Sequence, residues 1–150
     1  MNRVLRPLVS SRVVFSNFSG KDPSSFQPLL KTPFRSMSEA SKSLFEKIAD
    51  REIPATFLHE DEESFAIKDI NPQAPVHFLV IPKKCYTKLE LMDDAGLMGR
   101  LMMVANKVAK EQGLVKGYRV VINNGDEGGQ EVPHLHIHVI GGKQLKWPPC

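Results

Sequence analysis

The chain has 150 residues, two cysteines and a formal net charge of +3 at pH 7, which fits one domain with a single core. The positive charge is confined to one end, because residues 1–37 contain six basic side chains and one acid, whereas residues 38–150 contain 14 basic and 16 acidic side chains. This balance excludes a general nucleic-acid surface, and no apolar run is long enough for a membrane span. We therefore expect neither nucleic acid nor a membrane as a partner. Cys85 and Cys150 match no zinc or redox spacing and are expected to be free thiols.

Residues 1–37 are rich in arginine and serine, nearly free of acids and interrupted by four prolines. Bulky apolar residues are interspersed with the arginines near the start of this segment. Such a composition is typical of an organelle transit peptide, and we expect the mitochondrion as the destination, with the plastid as the alternative. The other interpretation is a disordered tail on a cytoplasmic protein.

Two helices are predicted after this segment. Ser43 and Glu46 have the spacing of a capping box, which predicts the start of a short helix. Asp93 or Asp94 can cap a second helix that Gly113 ends. The core face of this second helix consists of apolar side chains at helical spacing: Leu97, Leu101, Val104, Ala105 and Val108.

Five segments are rich in apolar residues and bounded by turn residues, which predicts strands at residues 56–59, 64–69, 76–81, 118–123 and 134–140. Acidic, proline-rich and glycine-rich loops occur between them. Strands in hairpin-like order beside two helices predict an α+β domain over residues 38–150, with a five-stranded antiparallel sheet.

The last of these strands carries three histidines at alternate positions, His134, His136 and His138, with aliphatic residues between them. Since successive side chains of a strand point to opposite faces, the three imidazoles are predicted to share one face. A glycine-rich loop at residues 125–130 precedes the strand, and its main-chain amides can approach phosphate oxygens closely.

Three interpretations of the histidines remain open on the residues alone. Three imidazoles can form a facial zinc site, although alternate side chains about 6.6 Å apart are widely spaced for one ion. They can also be structural histidines with partners in the fold. Finally, they can carry phosphorus chemistry, because a neutral imidazole attacks phosphorus directly and a neighbouring imidazole can pass a proton to the leaving group. The alternation and the glycine-rich loop favour phosphorus chemistry.

The histidine strand resembles the motif of the histidine triad superfamily, in the run His134-Leu135-His136-Ile137-His138-Val139-Ile140. Further segments are similar to its HINT branch, the histidine triad nucleotide-binding proteins: 53–55, 69–83, 117–123 and 141–149. The resemblance covers about residues 42 to 150. It implies a histidine triad fold whose five-stranded sheet joins that of a second copy, so that a homodimer has one continuous ten-stranded sheet.

The resemblance also implies an activity, the hydrolysis of purine nucleoside phosphoramidates or aminoacyl adenylates to AMP without a metal or other cofactor. His136 matches the family nucleophile, which becomes a nucleotidylated imidazole. His138 matches the histidine that contacts the α-phosphate, His134 the one that orients the nucleophile, and His77 an upstream histidine of the same hydrogen-bond network. The alternatives are a nucleotide-binding regulatory scaffold and an adenylylsulfate hydrolase.

The nucleotide-binding residues follow from the same resemblance. Asp69 matches the carboxylate that binds the ribose, and Trp147 lies in the C-terminal segment that is expected to tune substrate choice. The slot around the base and the loop over the phosphate and sugar match a larger set: Ile53, Ile67, Ile70, Asn123, Gly129, Gln130 and Glu131. Glu131 stands where animal members of the family have serine.

Overall fold

The structure, a computed structural model, describes residues 42–149. The predicted transit peptide at residues 1–37 lies outside the described residues, as does Cys150. The targeting signal and the domain boundary at residue 38 therefore stay predictions. Within residues 42–149, no helix combines the length and the apolar character that crossing a membrane requires.

Two α-helices begin where their caps predict them. Helix α1 (Leu44–Ala49) has a complete capping box, in which the Ser43 hydroxyl accepts from the main-chain N–H of Glu46 at 3.2 Å. The Glu46 carboxylate accepts in return from the N–H of Ser43 at 2.7 Å. Helix α2 (Ala95–Glu111) is capped by the carboxylate of Asp94. Both predicted helix starts are therefore confirmed.

Five strands form one antiparallel sheet. Their bounds are β1 (Phe57–Glu60), β2 (Ser64–Lys68), β3 (Val76–Pro82), β4 (Tyr118–Val121) and β5 (Ile137–Gly141), and a short 3-10 helix (Leu89–Leu91) precedes α2. The order across the sheet is β1-β2-β3-β5-β4, with every neighbouring pair antiparallel. The predicted α+β fold with five antiparallel strands and two helices is confirmed.

The two faces of the sheet pack against different helices. The aliphatic residues between the histidines all pack in the core with α2: Leu135, Ile137 and Val139. The opposite face packs with α1 in a second core: Phe45, Ile48, Phe65, Ile67, Leu79 and Ile81. His138 of β5 alternates with the buried aliphatic residues, and His77 of β3 alternates with residues of the α2 core, so both lie on the α1 face. The predicted separation of imidazoles from aliphatic side chains is correct.

The predicted histidine strand is wrong at its start. β5 begins one residue after His136, so that His138 lies inside the strand while His134 and His136 precede it. The neighbouring strands provide the physical reason, because Val121 ends β4 opposite His138 and β3 ends at Pro82, which has no N–H to donate. The predicted strand at residues 118–123 likewise stops two residues early. Chain outside the ladder is free to use its polar groups for other hydrogen bonds.

Candidate active site

His136 is held by a hydrogen bond within its own segment. Its Nδ1 lies 2.7 Å from the main-chain oxygen of His134. Since a carbonyl oxygen only accepts, the neutral ring carries its proton on Nδ1 and a lone pair on Nε2. The residue is 6% exposed, and Nε2 makes no hydrogen bond to any residue in the range 42–149. His136 therefore presents a nucleophilic nitrogen in a fixed orientation.

His134 is fully buried, and both of its ring nitrogens have partners. Nε2 donates to the main-chain oxygen of Pro82 at 2.8 Å, and Nδ1 accepts from the Ser43 hydroxyl at 2.8 Å. The Ser43 oxygen already accepts from the N–H of Glu46, so its own proton is available to His134. His134 thus connects the N-cap of α1 to the end of β3, and its carbonyl holds His136.

His77 and His138 form a second pair with the opposite arrangement of protons. Nδ1 of His77 accepts from the main-chain N–H of Gln73 at 3.2 Å, which places the ring proton on Nε2. That N–H donates to Nδ1 of His138 at 3.0 Å. His138 must then carry its proton on Nε2, a buried atom without a hydrogen-bond partner among the described residues. The site offers a lone pair on His136 and an N–H on His138, on rings whose centroids are 4.9 Å apart.

Asp69 lies against the same pair of imidazoles. One carboxylate oxygen, Oδ2, is 3.4 Å from Nε2 of His77 and 3.8 Å from Nδ1 of His138. The other oxygen accepts from the main-chain N–H of Asn71 at 2.7 Å. The structure therefore brings together Asp69, His77 and His138, three of the residues that the sequence assigned to the site.

Burial lowers the pKa of three of these imidazoles. Desolvation is the main cause of the lowered pKa of His77 and of His134. Desolvation also lowers the pKa of His138 to about 4, and repulsion from the two neighbouring imidazoles adds to this effect while Asp69 opposes it. All three rings are neutral at pH 7, as the hydrogen-bond arrangement requires.

Three further residues contact the imidazoles, and no sequence pattern assigned them to the site: Ser43, Phe45 and Gln73. The capping box identifies Ser43 as a helix start, but its bond to His134 joins residues 91 positions apart. The ring of Phe45, also in α1, packs edge-on against His134 at 5.7 Å and His136 at 5.2 Å. Gln73 acts through its main-chain N–H, which no side-chain pattern reveals.

The glycine-rich loop is braced by residues that the sequence assigned to it. The Asn123 amide donates to the main-chain oxygen of Gly129 at 3.1 Å. The Gln130 amide accepts from the N–H of Gly125 at 3.1 Å and donates to the main-chain oxygen of Thr87 at 2.7 Å. Both glycines have φ near +70°, a conformation that favours glycine. Asn123 and Gln130 therefore fix the shape of the loop.

The remaining predicted residues lie outside the imidazole cluster. Ile67 is buried in the α1 core, and Ile53 packs partly against it. Ile70 is fully exposed, Trp147 is 83% exposed, and Glu131 is exposed. None of the five makes a hydrogen bond or a ring contact with the four imidazoles, so their assignment to nucleotide binding stays a prediction.

The three triad histidines do not form a common metal site. Residues 42–149 contain two groups of three possible metal donors, and within each group the donor atoms lie within 4.8 Å of one another. The first group is Glu46, Cys85 and His134, and the second is Asp69, His77 and His138. Each group contains one triad histidine and neither contains His136. In the first group Ser43 already binds Glu46 and His134, and in the second the two imidazoles bind each other. Among the described residues, the donor atoms therefore do not support the facial zinc site that was one of the three open interpretations of the histidines.

The lowered pKa values predict that acid destabilises the fold. Unfolded imidazoles take up protons as the pH falls below about 6.5, whereas the buried rings of His77, His134 and His138 remain neutral to lower pH, in the case of His138 to about 4. The unfolded state then binds more protons, so the free energy of unfolding should fall from pH 6.5 towards pH 4. Urea unfolding at several pH values measures this. His138→Gln should make the free energy of unfolding less dependent on pH. A wild-type urea midpoint that does not change between pH 6.5 and 4.5 would contradict the prediction.

A family model for the HIT domain matches residues 50–145. The chain is 49% identical over 113 residues to a 14 kDa zinc-binding protein of Zea mays, across 73% of this chain and 88% of that protein. It is 46% identical over 113 residues to Adenylylsulfatase HINT1 of Arabidopsis thaliana, across 73% of this chain and 77% of that protein. The crystal structure of a HIT family hydrolase from Legionella pneumophila Philadelphia 1 matches with a TM-score of 0.71 at 46% identity, over 73% of this chain and 100% of that one. The chain therefore belongs to the histidine triad, or HIT domain, family.

Proposed function

We propose that the protein is a nucleoside phosphoramidase that hydrolyses adenosine 5′-phosphoramidates or aminoacyl adenylates to AMP through a nucleotidylated His136. The observation that carries this proposal is the set of hydrogen bonds that assigns opposite tautomers to two rings, with a lone pair on Nε2 of His136 and an N–H on Nε2 of His138. One ring can attack phosphorus while the other donates to the reacting group. The Legionella relative is a HIT family hydrolase, which supports this class of reaction.

In the first step for a phosphoramidate, the lone pair on Nε2 of His136 forms a bond to the α-phosphorus. The bond between phosphorus and the leaving nitrogen breaks, and its electron pair goes to that nitrogen, which accepts a hydrogen bond from Nε2 of neutral His138 and takes its proton from solvent. The hydrogen bond from Nδ1 of His136 to the carbonyl of His134 stabilises the positive charge that develops on the nucleotidylated ring.

In the second step, a water oxygen forms a bond to the phosphorus and the bond to Nε2 of His136 breaks. The electron pair of that bond returns to His136, and a water proton is released to solvent, which replaces the proton that the leaving nitrogen took in the first step. The products are AMP and a free amine, and both imidazoles regain their starting protonation states.

A second candidate is the hydrolysis of adenylylsulfate, which the name of the Arabidopsis relative favours. The same nucleophile serves both substrates, because the attack on the α-phosphorus is the same step. The leaving groups differ, since sulfate departs as a stable anion and needs no proton, whereas an amine does. The role of His138 therefore distinguishes the two activities.

We also infer that the protein is a homodimer. Strand β4 is at one end of the sheet order and pairs only with β5, so its other edge is open among the described residues. The hydroxyl of Tyr118 in β4 donates to Asn106 of α2 at 3.2 Å, one helical turn from two exposed methionines, Met102 and Met103. An open edge beside apolar side chains is suited to pairing with a second copy.

His136→Ala should lower AMP release from adenosine 5′-phosphoramidate by at least about 10³-fold, because it removes the nucleophile. A coupled assay for AMP with EDTA present measures this. The matched control is His59→Ala, which changes a histidine that pairs with Asp61 in the surface hairpin and should leave turnover within about twofold. Loss of wild-type turnover on chelation, or retained turnover in His136→Ala, would refute covalent catalysis at this ring.

His138→Ala should lower phosphoramidate turnover by about 10²- to 10³-fold, which is the usual cost of removing one hydrogen-bond donor from a transition state, because the leaving nitrogen loses the N–H that stabilises its developing charge. Turnover of adenylylsulfate should fall by less than about tenfold, because sulfate leaves without a proton. The two substrates are compared with the same enzyme preparation at one pH. Equal losses on both substrates would mean that His138 acts on the phosphate and not on the leaving nitrogen.

Met103→Glu should shift the chain from dimer to monomer, because a carboxylate would be buried in an apolar contact. Sedimentation velocity at several concentrations measures the mass in solution. Leu91→Glu is the matched control, since Leu91 is also an exposed apolar residue but lies in the 3-10 helix outside α2. A wild-type monomer at micromolar concentration would count against the proposed interface, as would a fully dimeric Met103→Glu.

A further inference from the structure

Asp69 is fixed against both rings of the His77–His138 pair. Its side chain is 13% exposed, and Oδ2 lies 3.4 Å from Nε2 of His77 and 3.8 Å from Nδ1 of His138. Oδ1 accepts from the main-chain N–H of Asn71 at 2.7 Å, so the carboxylate cannot turn away without losing that bond. A largely buried charge at this place acts on the protons that the two rings carry.

The shorter distance decides which proton Asp69 stabilises. The N–H on Nε2 of His77 donates to His138 and not to Asp69, but the carboxylate charge at 3.4 Å favours a proton on that nitrogen more than on Nδ1 of His138 at 3.8 Å. The N–H of Gln73 occupies the other nitrogen of His77. His77 therefore has one favoured arrangement of its proton, and Nδ1 of His138 must accept from it.

We propose that Asp69 is a positioning residue that acts on the reaction through His77, and that it keeps Nε2 of His138 as the N–H donor of the active site. This inference rests on the proposed function, because it gives Asp69 a task in the same reaction. The task is additional to ribose binding, which the family resemblance implies for this carboxylate.

The charges around His138 agree with this role. The titratable groups that face it are His77 on β3, His136 before β5 and Asp69 after β2. The two imidazoles oppose a proton on His138, whereas Asp69 raises the pKa of both His138 and His77. Removal of the carboxylate charge therefore lowers both pKa values further and weakens the hold on the His77 proton.

Asp69→Asn tests the proposal because the amide has nearly the same shape as the carboxylate. The N–H of Asn71 selects the amide oxygen, so the amide NH₂ faces the N–H of His77, and two donors meet. We expect this repulsion to break the ordered pair. His138 should then populate a second tautomer with its proton on Nδ1.

The first measurement is the ring nitrogen spectrum of ¹⁵N-labelled protein, which distinguishes protonated from unprotonated ring nitrogens. Wild type should show His138 with its proton on Nε2 only. Asp69→Asn should show both tautomers and a lower protonation midpoint for His138. An unchanged ring spectrum in Asp69→Asn refutes the inference whatever the turnover is.

The second measurement separates positioning from ribose binding. Turnover of adenosine 5′-phosphoramidate is compared with that of its 2′,3′-dideoxy analogue, which has no ribose hydroxyls for Asp69 to bind. Positioning predicts that Asp69→Asn lowers kcat by about tenfold or more on both substrates and shifts the acid limb of the pH profile to lower pH. A defect that disappears with the dideoxy substrate would assign Asp69 to the ribose alone.

The matched control is Asp61→Asn, since Asp61 also pairs with a histidine, His59, at 3.1 Å but lies at the surface hairpin. This variant should leave the spectrum of His138 and the pH profile unchanged, and an equal shift there would overturn the assignment to Asp69. A wild-type chain that hydrolyses neither substrate refutes the proposed function, and the ring spectrum still decides whether Asp69 holds the pair.

Discussion

The hydrogen bond from Nδ1 of His136 to the main-chain oxygen of His134 determines what the site can do. A carbonyl oxygen accepts and never donates, so this one contact of 2.7 Å places the lone pair of the neutral ring on Nε2. The rest of the segment serves to hold that carbonyl. His134 is anchored to Pro82 at one nitrogen and to Ser43 at the other, so that β3 and α1 both fix its position.

The bond is available because the chain joins the sheet only at Ile137, after both His134 and His136. In a regular antiparallel ladder, main-chain carbonyls bind the neighbouring strand and not the side chain two residues further on. Pro82 has no N–H to donate to the ladder, and its carbonyl accepts from the His134 ring. The end of β3 therefore holds His134 in place. The irregular start of β5 is therefore what leaves these groups free to orient the imidazoles.

Sequence patterns predict what is local or periodic in this molecule. The alternating histidines predict the shared face, the Ser43–Glu46 spacing predicts the start of α1, and the apolar spacing predicts the buried face of α2. The contact of Ser43 with His134 spans 91 residues, so no local spacing contains it. The N–H of Gln73 is a main-chain group, and its role depends on where His77 lies in the folded sheet. Contacts of this kind depend on strand register, which the sequence alone leaves open.

The proposed reaction requires opposite tautomers on His136 and His138. In the proposed reaction, a lone pair at Nε2 of His138 as well would leave two acceptors facing the anionic phosphate, and neither could donate to it. If His136 presented an N–H, no nucleophile would remain. Each ring is assigned by a main-chain group, the carbonyl of His134 for one and the N–H of Gln73, through His77, for the other. Main-chain groups have fixed polarity and do not titrate, so they orient both rings, while burial keeps His77 and His138 neutral.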